Sequence, residues 1–269
     1  MKAHSKSRKK ISKSKLIDRI PNVGWLTISI IVALIFWTIL SIIPSTSRSF
    51  PNVLKVIESV QTMIDRGVFF EDILSSLISV TSGFAIGFII SLPVAILMAW
   101  YRPIRYVVEP WIQFVRNIPP LAYVPLVVIS AGVGRTPQII VITIATFLIM
   151  TITIYEGVKN IDPTLVKAAR VLGARDKDVF VKIIAPASLP FIITAIRLGT
   201  AVGLTSLIAA ESTGAQAGLG MRIRALGNTF ESSPMLLYII IIGIFGLLFE
   251  VSVKILERRL TSWQEKTDE

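Results

Sequence analysis

The sequence predicts an all-α, polytopic membrane protein with six transmembrane helices. Three observations predict it. Hydrophobic residues fill 53% of the 269 positions, only 17% are charged, and the mean hydropathy is +0.71. That balance belongs in lipid rather than in a soluble core. Long charge-poor stretches recur along the chain, separated by short polar segments. Basic residues concentrate in alternate connectors, twenty on one side against six on the other, which is the positive-inside pattern and puts both termini inside.

Taken in order, residues 1–19 hold Lys2, Lys6, Arg8, Lys9, Lys10, Lys13, Lys15 and Arg19, a basic cytoplasmic tail expected to end near residue 24. Trp25 to Ile43 is charge-free and long enough to span a bilayer. No Ala-x-Ala site follows, so it reads as a retained first helix rather than a signal peptide. Pro44 to Asp72 is a mixed outer segment, with a short amphipathic helix expected over Val53 to Ile64. Ile73 to Tyr101 is the second span. Gly83, Gly87, Ser91 and Ala95 fall four apart on one face and predict close helix packing.

Arg102 and Arg105 then sit inside. The third span, Tyr106 to Val133, is interrupted by Glu109, Arg116, Asn117, Pro119 and Pro120. Two readings stand: a broken span beside a transport pathway, or an interfacial helix over 106–118 with only 121–133 deep. A turn at Gly132 to Pro137 leads into the fourth span, Ile139 to Tyr155. The fifth runs from about Ser188 to Ala210. It contains Arg197 and is followed by a polar, glycine-rich outer segment, Glu211 to Ser233. Pro234 to Phe249 is the sixth span, and Glu250 onward is a charged cytoplasmic tail. The permease domain is thus expected over 25–257 and the final tail over 258–269.

Missing residues narrow the chemistry. There is no cysteine, the one histidine is His4, and no Gly-Lys dipeptide offers a phosphate-binding loop. No cofactor, metal or ATP site is expected on this chain. The net charge of +11 could suggest nucleic acid, but its placement between spans argues for membrane topology. An intramembrane enzyme is disfavoured, since no nucleophile comes with a base.

The ionisable residues within spans are candidates for a solute pathway. Arg116 and Asn117 interrupt the third span, and Arg116 would attract an anion or face Glu109. Arg197 and Glu211 share a helix face; the bland alternatives are snorkelling for Arg197 and an interfacial cap or ion pair for Glu211. Thr200, Thr205 and Ser206 would line a polar path or bond back to their own helix.

Between the fourth and fifth spans lies Asp162 to Pro186, DPTLVKAARVLGARDKDVFVKIIAP. Asp162 and Pro163 suit a helix start. Leu165, Val166, Ala169 and Leu172 make one face apolar, and Gly173 ends the helix. A second amphipathic piece carries Val179, Phe180, Ile183 and Ile184, and Pro186 is expected to stop it. This is a helix–glycine–helix elbow.

The elbow resembles the EAA loop of ABC importer permeases: Ala168, Ala169, Gly173, Ile183 and Pro186 stand at the motif's spacings, while Lys167 replaces its Glu and Ala185 its Leu. Asn117 to Leu126, Gly157 to Pro163, Ala168 to Ala174, and Ala209 to Glu211 with Gly218 to Gly220 are similar to the nitrate, sulfonate, taurine and bicarbonate branch. The resemblance implies the type I importer fold in a bacterial cytoplasmic membrane. It implies a second permease copy, cytoplasmic ATPase subunits that hold ATP and magnesium, and an extracytoplasmic solute-binding protein. Leu165, Ala168, Ala169, Gly173, Ala174, Phe180 and Pro186 would couple to the ATPase. The solute implied is a small anion, with a pyrimidine-type vitamin precursor or other small organic as the alternative. An ion-gradient-driven secondary transporter is the alternative of another class; it would favour inverted repeats, and none is visible between 20–135 and 136–257.

Overall fold

A computed structural model describes residues 22–261. The basic run 1–19 and residues 262–269 lie outside them. The described residues contain helices and no strands. Among the described residues five helices are long and apolar enough to cross a membrane, or six spans if the bent pair over 102–131 counts as one.

Of the described residues, 22–56 form one compact unit. Its helix α1, Asn22–Ile42, matches the expected first span, and the Trp37 indole N–H donates to the Pro51 carbonyl at 3.0 Å. Helix α2 is Val53–Asp65.

The second unit, described over residues 57–261, is organised around three long helices: α3, Phe69–Trp100; α6, Arg135–Lys159; and α9, Ala185–Gly214. Lipid is as apolar as leucine, so helices gain little by hiding apolar surface from it. They associate where their backbones come close. The small-residue face of α3 serves that end, and Gly83, Gly87, Ser91 and Ala95 are all buried. A Cβ on Gly83 would stand 2.7 Å from Ile142 of α6, and one on Gly87 would strike the Thr146 hydroxyl. Thr146 also faces Gly203 of α9. Met150, Ile152, Ile154 and Tyr155 of α6 continue the core and are essentially inaccessible.

The interrupted third span is two helices, α4 (Arg102–Arg116) and α5 (Pro120–Ala131), bent by 102° at residues 117–119. Pro119 and Pro120 remove two backbone donors and hold the chain extended before α5. Ile112 of α4 packs in the core with Met98, Leu148 and Tyr155, while Val124 of α5 packs with Val141 and Ala210. The two helices therefore pack on opposite halves of α6, an arrangement shared by a broken span and by an interfacial helix followed by a deeper one. The expectation that Arg116 faces Glu109 fails: Glu109 pairs with Arg105 one turn away, at 3.9 Å.

Three boundaries also differ from expectation. Pro186 does not stop the elbow. Helix α8, Asp176–Val179, runs through a π-helical turn at Phe180–Ile184 straight into α9. The Ala185 N–H donates to Phe180, five residues back. The wide turn opens room for a proline ring, and Pro186 sits where a helical first turn tolerates it. At the other end, α9 continues past Ala210, so Glu211 lies inside the helix and is fully buried. The following connector contains helix α10, Leu219–Asn228. Finally, α11 spans Ser232–Leu260, well beyond Phe249, because Glu250 and Glu257 find a partner in Arg197.

Candidate functional site

The elbow is built by two helix caps. Asp162 Oδ1 accepts from the Thr164 N–H at 2.8 Å and opens helix α7, Pro163–Val171. That bond and the Thr164 hydroxyl hold the Asp162 carboxyl below its usual range. The helix closes on Gly173 at φ +83°. The Gly173 N–H reaches Arg170, the Ala174 N–H reaches Ala169, and two otherwise unpaired carbonyls are satisfied. Arg170 and Asp176 pair at 2.9 Å across the bend.

This closure leaves an apolar tip facing outward. Val171 is 88% and Leu172 87% exposed, and Leu165 is half exposed. On the other face, Val158, Ile161, Val166, Lys167, Arg170 and Ile184 line a depression of about 400 Å³. Phe180 stacks edge-on against Trp100 of α3, with ring centroids 5.8 Å apart. The elbow is therefore continuous with α9, two residues from the end of α6, and pressed on α3. Trp100 has no motif around it, and sequence reasoning missed it.

A second feature lies at the bend of the third span. Arg116, Asn117, Ile118, Pro120 and Tyr123 face Leu148, Val202 and Thr205 across a cavity of about 470 Å³. At ~1.5 Å per residue, Leu148 is about 20 Å into α6, near the middle of a bilayer. Among the described residues, Arg116 has no ion pair. A cation at that depth needs a counter-charge or water, and the cavity gives it room for either. No carboxylate lines the cavity. The sequence-predicted residues Arg116 and Asn117 are thus brought together. Thr200 is not among them; its hydroxyl bonds back to the Arg197 carbonyl at 2.7 Å. Thr205 and Ser206 also bond back within α9, and Thr205 still faces the cavity.

Arg197 and Glu211 do not meet. Arg197 reaches α11, with Glu257 at 2.7 Å and Glu250 at 3.4 Å. Glu211 belongs to a cluster at the end of the bundle far from the elbow. It accepts from the Ser76 hydroxyl at 2.6 Å and the Gly220 N–H at 2.7 Å. Beside it, Asp72 accepts from the Gly218 N–H, the Tyr238 hydroxyl and Arg222 Nε. Both carboxylates are 0% exposed. The glycines allow this: a Cβ on Gly218 would run into the Glu211 carboxylate. Asp72 raises the already high pKa of Arg222.

Comparisons with known proteins agree with this architecture. The chain is 38% identical over 248 residues to a probable ABC transporter permease protein of Brucella abortus (strain 2308), covering 92% of this chain and 98% of that one. It is 31% identical over 263 residues to the taurine transport system permease protein TauC of Escherichia coli (strain K12), covering 94% and 96%. Among solved structures, the MetNI methionine ABC transporter in its inward-facing conformations has a TM-score of 0.64 at 20% identity, over 73% of this chain and 97% of that one. That likeness establishes the type I importer permease fold. Residues 87–262 match the family described as binding-protein-dependent transport system inner membrane component, and the chain belongs to that family.

Proposed function

We propose that this chain is the permease subunit of an ATP-driven importer that moves a small anion into the cytoplasm. The observation that carries the reading is the elbow: an exposed apolar tip, Val171 and Leu172, on a capped knob that runs unbroken into α9. Large apolar side chains this exposed, on a backbone this constrained, suit a groove on a partner. That partner is an ATPase subunit, which holds the ATP and magnesium. Closure of the ATPase pair pushes the knob, and the knob moves the bundle to which it is fixed. Leu165, Ala168, Ala169, Gly173, Ala174, Phe180 and Pro186 form or support the contact. Lys167 inverts the charge of the motif's Glu, and it lies in the depression behind the tip.

The solute path passes the bend at 117–119. Arg116 supplies positive charge, Asn117 and Thr205 supply polar groups, and no lining carboxylate repels an anion. The relative that transports taurine supports an anionic or sulfonate-type solute. Arg197 and Glu211 hold the path's walls, Arg197 by bracing α9 on α11 and Glu211 by fixing the far end. A second copy of the chain completes the path, and a solute-binding protein delivers to the far end. The basic connectors support a cytoplasmic elbow with both termini on the same side.

Co-purification tests this. The tagged chain, mildly extracted from its native membrane, is expected to bring an ABC-type ATPase with it, and Leu172→Asp is expected to lose that subunit while staying in the membrane. Undiminished uptake under ATP depletion would overturn the reading in favour of a gradient-driven transporter.

A further inference from the structure

Helix α10 ends in the same geometry as the elbow helix, with one difference. The Phe230 N–H donates to Gly227 and the Glu231 N–H donates to Leu226, closing the last turn as Gly173 and Ala174 do in the elbow. That closure needs a left-handed residue, and glycine is the usual choice. Here the position holds Phe230, at φ +59°, the one non-glycine with positive φ among the described residues. A bulky side chain in this region is a strained outlier. The ring gains no packing in return, since Phe230 is 89% exposed.

Helix α10 beneath it is tied to the bundle at its other end. The Gly218, Leu219 and Gly220 N–H groups are bound by Asp72, Ser76 and Glu211, and Arg222 is clamped to Asp72. Glu231 is paired with Arg66 at 2.8 Å, and both side chains are partly solvated. Asn228 and Thr229 beside the ring are exposed and polar. The ring therefore projects outward from a polar rim. It does so at the end of the bundle opposite the elbow.

We infer that Phe230 is the anchor that grips the solute-binding protein on the far face, its ring entering an apolar recess of that protein. This rests on the reading of the chain as a binding-protein-dependent permease. A rigid aromatic, held in place before contact and ringed by polar groups, has the form of an interface hot spot. Strain that the fold could relieve with glycine is retained because the partner needs the ring.

The test separates strain from contact. The assembled transporter is reconstituted in lipid nanodiscs, and its ATPase rate is measured against the concentration of its binding protein. Phe230→Gly is expected to raise the half-maximal concentration roughly tenfold or more, while the melting temperature holds or rises. Phe230→Tyr, which keeps the ring, is expected to stay near wild type. An unchanged half-maximal concentration in Phe230→Gly would overturn the anchor. So would a weakened response that tracks a lowered melting temperature, or a melting temperature lowered in nanodiscs but not in detergent, which would put the ring in lipid. A wild-type complex that ignores the binding protein would overturn the permease reading and the anchor with it.

Discussion

Asp72 and Arg222 stand 150 positions apart in the chain and meet at 2.7 Å, the carboxylate wholly buried and the arginine side chain 21% exposed. The pair closes the far end of the bundle by tying α10 to the start of α3. Removing one partner strands the other charge. Arg222→Met is therefore expected to cost about 3–5 kcal/mol, read as a lowered melting temperature of the purified complex. Asp72→Asn in the same chain is expected to restore part of the loss. An additive double variant would show that the two residues act independently.

The approach of α3 to α6 leaves no room at Gly87. Gly87→Val must push Thr146 aside, and overpacking of this kind costs about 1–3 kcal/mol or more. The expected outcome is a chain with poor yield and an early melting transition. Gly243 has nothing within 4 Å of an added Cβ. Gly243→Ala is therefore the matched control, expected to behave as wild type.

Gly173 is required by backbone geometry rather than by space, since an added Cβ meets nothing there. Gly173→Pro cannot adopt φ +83°, because the ring fixes φ near −65°. The variant is expected to remain in the membrane and to lose coupled ATPase activity. Retained uptake would count against the elbow as the docking knob.

Arg116 faces the mid-bilayer cavity and has no ion pair among the described residues. Arg116→Gln keeps the length and removes the charge. Uptake of a sulfonate solute is expected to fall roughly tenfold, the equivalent of one lost charge-assisted hydrogen bond at about 1.4 kcal/mol. The ATPase subunit should still co-purify. An unchanged uptake rate would remove Arg116 from the path.

Glu231 pairs with Arg66, and the guanidinium holds its carboxyl below the ordinary value of 4.5. A lowered folded pKa stabilises above the unfolded value, and the contribution disappears as pH falls through the folded one. The far-face tip is thus expected to be at full strength above about pH 5 and to loosen below pH 4.5. Comparing melting curves of wild type and Arg66→Met across that window checks the sign: the two should converge as the pH drops.

The sequence carried the order and packing of the helices because those signals are local. Charge-free runs and the four-residue spacing of Gly83, Gly87, Ser91 and Ala95 can be read without knowing any neighbour. The elbow's caps were legible for the same reason, since Asp162, Pro163 and Gly173 act within one helical turn. Pro186 misled because a proline normally ends a helix, and the wide turn that rescues it depends on five residues with no marker of their own. Glu211 is expected to open an outer segment and instead lies buried inside α9, because its donors come from Ser76 and Gly220, one of them 135 positions away. Trp100 was invisible until Phe180 was seen against it. The helix-closing role of Phe230 escaped notice because glycine is the residue that announces such a turn.

The seating of Thr146 against Gly87 and of Met150 against Gly199 has a kinetic consequence. Three helices that interlock at this depth cannot slide past one another by a fraction of a turn, since each step would drive a methyl or hydroxyl into backbone. α3, α6 and α9 must travel as one slab, so each stroke of the transporter is a swing of the whole slab on the microsecond-to-millisecond scale rather than a ripple of side chains. Paired reporters on α3 and α9 would keep a constant separation through the cycle, while reporters on two facing slabs would not.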